Sequence, residues 1–127
     1  DTGGVTGHPD HMRAHEAALA ARGTVTVVLA GCVRSADVRA AIDRLGTLAP
    51  GAPIGSGGLH GVEADLLELD PALPARNARA AALDGYYPGL GSRPLEDLVD
   101  PAGRVGDGVV LRAIAEAAGH REFFRVL

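Results

Sequence analysis

A run of seven residues, TVTVVLA at positions 24–30, constrains the fold more than any other part of the chain. It is β-branched, short and almost continuously apolar, which is the pattern of a strand covered on both faces inside a parallel sheet. Behind it, SADVRAAIDRLGTLA switches to helical spacing. Val38, Ile42, Leu45 and Leu48 share one face, Ser35 stands where a cap is needed, and Pro50 ends the run. A helix also precedes the strand: Pro9 suits a first turn, Met12, His15, Ala18, Leu19 and Arg22 keep the spacing, and Gly23 stops it. Helix, strand, helix is the signature of an α/β fold.

Residues 50–61, PGAPIGSGGLHG, are too rich in glycine and proline for regular structure and read as a loop. VEADLLEL (62–69) reads as a second strand, and DPALPARNARAAALDG (70–85) as a helix entered through proline and left at Gly85. After the turn-rich YYPGLGSRP come a short LEDLV helix, the DPAGRVGDG turn, a helix over 109–118 with Asp107 or Gly108 near its cap, and a closing REFFRVL strand (121–127). There is no internal repeat and no dividing linker, so the 127 residues are expected to form one domain. The expected architecture is α/β, a Rossmann-like layered sheet with strands near 24–30, 62–69 and 121–127. The chain begins at Asp1, in a loop already close to the chemistry described below, and reads as the later half of such a sheet. A half sheet leaves an edge uncovered, and an uncovered edge is a template for pairing. A missing amino-terminal half or a homo-oligomer is therefore an expected partner.

Charge narrows the function classes. All twelve cations are arginine, the net charge is −4, and no basic tract exists. Neither a nucleic acid nor an anionic membrane surface is an expected partner; a small polar molecule is. One cysteine, Cys32, excludes an internal disulfide and is compatible with a reducing, cytoplasmic setting. No targeting signal is present, and the longest apolar run is far too short to span a bilayer.

The chemistry concentrates in GVTGHPDHMRAHEAAL, residues 4–19. His11 and His15 are four apart, so imidazoles on one helical face can converge, a spacing that zinc sites use. His8 and Asp10 lie at the turn into the helix, where backbone amides favour developing negative charge. That suits hydrolysis of an acyl group, in which a metal polarises the carbonyl, a carboxylate accepts a proton, and a histidine stabilises the oxyanion or protonates the leaving amine.

This stretch resembles the second signature of the LmbE-like, or PIG-L, family of zinc deacetylases, which remove acetyl groups from N-acetylglucosamine-type amides. The H-P-D-H core in a glycine-preceded loop running into a helix carries the resemblance. CVRSADVRAAIDRL, LPARNARAAALDGYYPGL and HREFFRVL resemble later family segments in register. The resemblance implies that His11 is a zinc ligand, that His8 stabilises the oxyanion or protonates the leaving group, and that Asp10 orients His8. It further implies an amino-terminal H-P-D-D motif supplying two more ligands and the general base, and these 127 residues contain no such motif. The chain thus reads as the carboxy-terminal part of a deacetylase, inactive without that motif. Where some relatives carry a tyrosine two residues before the first histidine, this chain has Thr6.

Other readings stay open beside this one. The histidines could decorate the helix start of a non-catalytic α/β binding or interaction module, or His8, His11 and His15 could form a self-contained metal site with Asp10. His15 otherwise reads as a packing residue on the inner helix face. Arg34 and His60 are candidate substrate-binding residues, the first for a hydroxyl-rich or anionic group and the second in a loop that could close over a sugar; each equally fits a plain surface position. Cys32 could face the cleft or simply be buried. His120 reads as interacting with helix-terminal carbonyls. GSGG lacks the lysine of a phosphate-binding loop. Tyr86 and Tyr87 could stack on a ring or pack a helix end.

Overall fold

The structure is a computed structural model that describes residues 9–21, 23, 29–55, 58–63 and 65–126, and of His11, Leu29 and Ala30 the backbone. Helix α1 (Pro9–Ala20) leads to strand β1 (Leu29–Cys32), helix α2 (Ser35–Leu48), strand β2 (Leu67–Leu69), helix α3 (Leu73–Tyr86), a 3₁₀ turn at Leu95–Asp97, helix α4 (Asp107–Ala117) and strand β3 (Glu122–Val126). Helices and strands alternate as the periodicities predict, giving a mixed α/β chain. No described helix is long and apolar enough to cross a membrane.

The core lies between α2 and α4. Val38, Ala41 and Leu45 on α2 recur at helical spacing and meet Val110, Ala113 and Ile114 on α4. Leu95, Val99 and Val105 from the intervening turns close the cluster, with Ile42 and Leu48 packed at its margin. Leu45 and Val110 are fully buried. Burying an aliphatic side chain of this size stabilises a fold by about 1.5–3 kcal/mol. Arg44 then ties α2 to both neighbours, donating to Glu96 at 2.7 Å and to Glu116 of α4.

The sheet departs from the expected parallel arrangement. Its order is β1-β3-β2, and β3 runs antiparallel to both flanking strands, with Gly31 opposite Phe124 and Leu67 opposite the other edge of the same residue. An apolar run specifies that a strand is buried and leaves its direction open. Here the closing segment inserts between the two earlier strands, which consequently run in the same direction as each other. That parallel relation continues past β1, where Arg34 bridges Val62 and Val62 N–H donates to Val33 O at 2.9 Å. Val62 is therefore used beside β1, and the strand expected over 62–69 contracts to Leu67–Leu69. Of the strand expected over 24–30, residues 24–28 lie outside the described residues.

Other boundaries differ: α1 ends at Ala20 rather than at Gly23, and Arg34 rather than Ser35 occupies the cap position of α2, with no side-chain cap hydrogen bond. Helix α3 continues through Gly85 to Tyr86, and Tyr87 N–H still bonds Leu83 O at 2.9 Å. The reversal comes at Gly89, whose φ of 85° is open to glycine and strained for other residues. Helix α4 starts at Asp107 rather than near Val109, with Gly106 in the cap position and Asp107 beside it in the first turn.

Helices α1 and α3 stand outside this core. Helix α3 buries none of its residues, and α1 leaves Met12 and Leu19 exposed. The core location predicts that Leu45→Ala lowers unfolding free energy by about 2–5 kcal/mol, whereas Met12→Ala changes it by less than about 0.5 kcal/mol. Urea titration followed by circular dichroism measures both, and equal effects would place the core elsewhere.

Candidate functional site

Pro9 opens α1, where its missing N–H costs no intrahelical bond. Asp10 and His11 follow in the first turn, so the motif sits at the positive end of a twelve-residue helix. The Asp10 side chain is 74% exposed and lies 3.9 Å from the guanidinium of Arg13. His15 stands one turn beyond His11 and is half-buried. His8 lies outside the described residues, as does the side chain of His11. Among the described residues no three His, Cys, Asp or Glu side chains gather closely enough to hold a metal ion. The imidazole and carboxylate types of this stretch suit zinc chemically, yet what is described of them is a partial donor set.

Arg34 and His60 belong to a second region, where β1 leads into α2. Arg34 precedes the helix in extended conformation, and its Nε and Nη2 donate to the two oxygens of Asp37 at 2.7 and 2.8 Å. Asp37, in the first turn of α2, is the buried carboxylate of the described core. The guanidinium also lies 4.3 Å above the centre of the Phe123 ring. Being planar, it can make a two-point carboxylate pair and a ring contact together, which an ammonium cannot. The bond to Asp37 holds Arg34 charged even more firmly than usual. With Nε and Nη2 engaged, a ligand would meet only the remaining edge of the group.

The glycine-rich loop reaches this place through Gly61. A Cβ there would come within 2.5 Å of Ser35 Cα, so the loop backbone lies directly against the start of α2. Ser35 N–H donates to Val62 O at 3.2 Å and fastens it. His60 itself is exposed. An open cleft of about 660 Å³ lies here, lined by Arg34, Ser35, Arg39, Glu63 and Asp65 among others. Arg39 and Glu63 pair across it at 3.1 Å.

A more apolar cavity, about 520 Å³, lies between the sheet and α4, lined by Cys32, Phe123, Leu111, Ile114, Arg79 and Arg121 among others. Sequence reasoning had no means of finding it, because its walls come from segments more than eighty residues apart. Cys32 Sγ lies 3.6 Å from Phe123 O. Burial pushes its thiol pKa up, partly offset by the positive charge of Arg125.

Compared with protein-family models, with curated proteins and with solved structures, the chain matches none of them.

Two outcomes test this geometry. Arg34→Lys keeps the charge and loses both the two-point pair and the ring contact, so it should destabilise the fold by about 1.5–3 kcal/mol, read by thermal unfolding; a neutral result would show that Asp37 does not depend on Arg34. Cys32 should react with iodoacetamide more slowly than a free thiol at neutral pH, because only the thiolate attacks. Its rate should half-saturate above the ordinary cysteine range of about pH 8.5, and a midpoint at or below that value contradicts the burial described.

Proposed function

We propose that this chain contributes the helix-α1 side of a zinc-dependent N-deacetylase site, acting on an N-acetylglucosamine-type conjugate, and that it is the later half of an LmbE-like, Rossmann-like layered domain. The observation that supports the reading is that Pro9, Asp10 and His11 of the H-P-D-H motif open α1. The chain folds into helix at Pro9, so Asp10 and His11 stand beside the unbonded amides of the first turn, where an oxyanion is favoured.

In this reading His11 offers a lone pair to zinc, and the metal, when bound, supplies polarisation of the amide carbonyl and activation of water. His8 donates a hydrogen bond to the developing oxyanion or a proton to the departing amine. Asp10, accepting from the far ring nitrogen of His8, holds that imidazole in one tautomer and favours its protonated form. Arg34, from the cleft at the end of β1, and His60, from the exposed loop before Gly61, bind hydroxyls of the substrate. The remaining ligands and the general base come from an H-P-D-D segment outside these 127 residues, joined to the chain or supplied by a partner.

The second reading is a non-catalytic ligand-binding or interaction module, in which Asp10, 74% exposed and 3.9 Å from the Arg13 guanidinium, belongs to a solvated helix start. Complementation separates the two. Mixed with zinc and an N-acetylglucosamine conjugate, the chain alone should release no free amine, and with a polypeptide carrying H-P-D-D it should. His11→Ala or His8→Ala should abolish that release, and His15→Ala should only weaken it. Turnover by the chain alone, or undiminished turnover by the His11 variant, overturns the ligand assignment. No turnover in any mixture, with zinc content indifferent to His11→Ala, favours the module.

A further inference from the structure

The two tyrosines of the chain are adjacent, at the end of α3, and packing does not account for them. Tyr86 is 83% exposed and Tyr87 is 55% exposed. Large apolar rings at a helix end are normally folded against it. Here the turn that carries them is instead anchored by other residues. Leu90 is buried. Asp84 accepts the N–H groups of Gly91 and Ser92 at 2.7 and 3.1 Å. Arg112 of α4 donates to the carbonyls of Leu90 and Gly91, both at 2.8 Å. A Cβ at Gly91 would overlap Ala80 O, so the turn lies directly on α3. The backbone under the rings is thus held from three sides while the rings stay in solvent.

They stand at the rim of a cavity of about 290 Å³, lined also by Leu90, Leu98, Asp100 and Arg104. That volume is near the small end of ligand sites, about 300–1,000 Å³, and admits a single ring. Its rim carries both an acceptor and a donor. Asp100 Oδ1 takes the Ala102 N–H at 2.9 Å, and a carboxylate has further lone pairs to offer. Arg104 bonds Gly55 O through Nε and Nη2, which leaves the Nη1 edge outside those two bonds. A charged ligand would meet one like charge at this rim. A polyproline run, whose residues lack the backbone N–H, would present backbone acceptors alone and leave the carboxylate unanswered. A neutral ring with hydroxyls at its edge and C–H groups on its face answers the carboxylate, the guanidinium and the aromatic faces together.

We infer that this cavity is a saccharide-binding site, in which Tyr86 and Tyr87 stack on the face of one sugar ring and Asp100 and Arg104 bind its hydroxyls. The site is separate from the α1 motif and does not depend on the deacetylase reading. Because the chain has no tryptophan and two tyrosines, its intrinsic fluorescence reports on this place alone. Glucose, galactose, N-acetylglucosamine and cellobiose should each be titrated into the intact chain, with glycerol and tetraproline as controls. At least one sugar should give a saturable change, with a preference among the hexoses. By calorimetry, Tyr86→Ala and Tyr87→Ala should each weaken that sugar by about tenfold, the scale of one lost aromatic contact. The corresponding phenylalanine variants should bind normally. Asp100→Asn, which keeps the shape of the side chain, should weaken binding independently. Both rings are exposed, so unfolding temperatures should not move. Silence toward every sugar, a saturable response to tetraproline alone, or sugar binding that survives both alanine variants overturns the inference.

Discussion

The packing of α2 on α4 is the constraint from which the rest of the described structure follows. Leu45 and Val110 are fully enclosed between these helices, and the turns supplying Leu95, Val99 and Val105 are drawn in around them. Each helix end then places something. The start of α2 holds Arg34 and Asp37, and the start of α4 receives the glycine-rich loop through Val105, which bonds Pro53 and Gly55. Dense interiors transmit position well, so sites built at the ends of packed helices are set by side chains that never touch a ligand.

Outside that core, polar bonds do the positioning. Helix α3 buries nothing, yet Arg79 pairs with Glu122 of β3 and the turn after Tyr86 is tied to α4 through Arg112. Helix α1 is mostly exposed along its length. Isolated helices of about twelve residues are marginal in water, so little besides its own backbone bonds holds the described part of α1.

Much of the secondary structure was legible, because its signals are local. Pro9 marks a helix start that the structure keeps, Ser35 falls inside α2 as its first residue with Arg34 in the cap position, and the Val38–Leu45 stripe is the buried face of α2. The closing strand was legible from REFFRVL, and β3 covers Glu122–Val126. The end of α3 misled because Gly85 is tolerated inside a helix when the stop is supplied elsewhere. Of the site residues, Asp10 and His11 fall at a helix start, as their spacing behind Pro9 requires, and Arg34 and His60 come to one loop-and-helix junction. That Arg34 is held by Asp37 and Phe123 was not legible, since Phe123 is eighty-nine positions away.

By itself the sequence determined the order of helices and strands, which face of α2 is apolar, and that Asp10 and His11 fall in the first turn of α1. These follow from caps, breakers and periodicity, which act over a few residues. Tertiary structure alone decided that β3 enters between β1 and β2 and runs against both, that Arg34 is held over a distant ring, and that two tyrosines stay in solvent beside a cavity. Each depends on which surfaces meet, and a pattern of polar and apolar residues specifies burial without naming the partner.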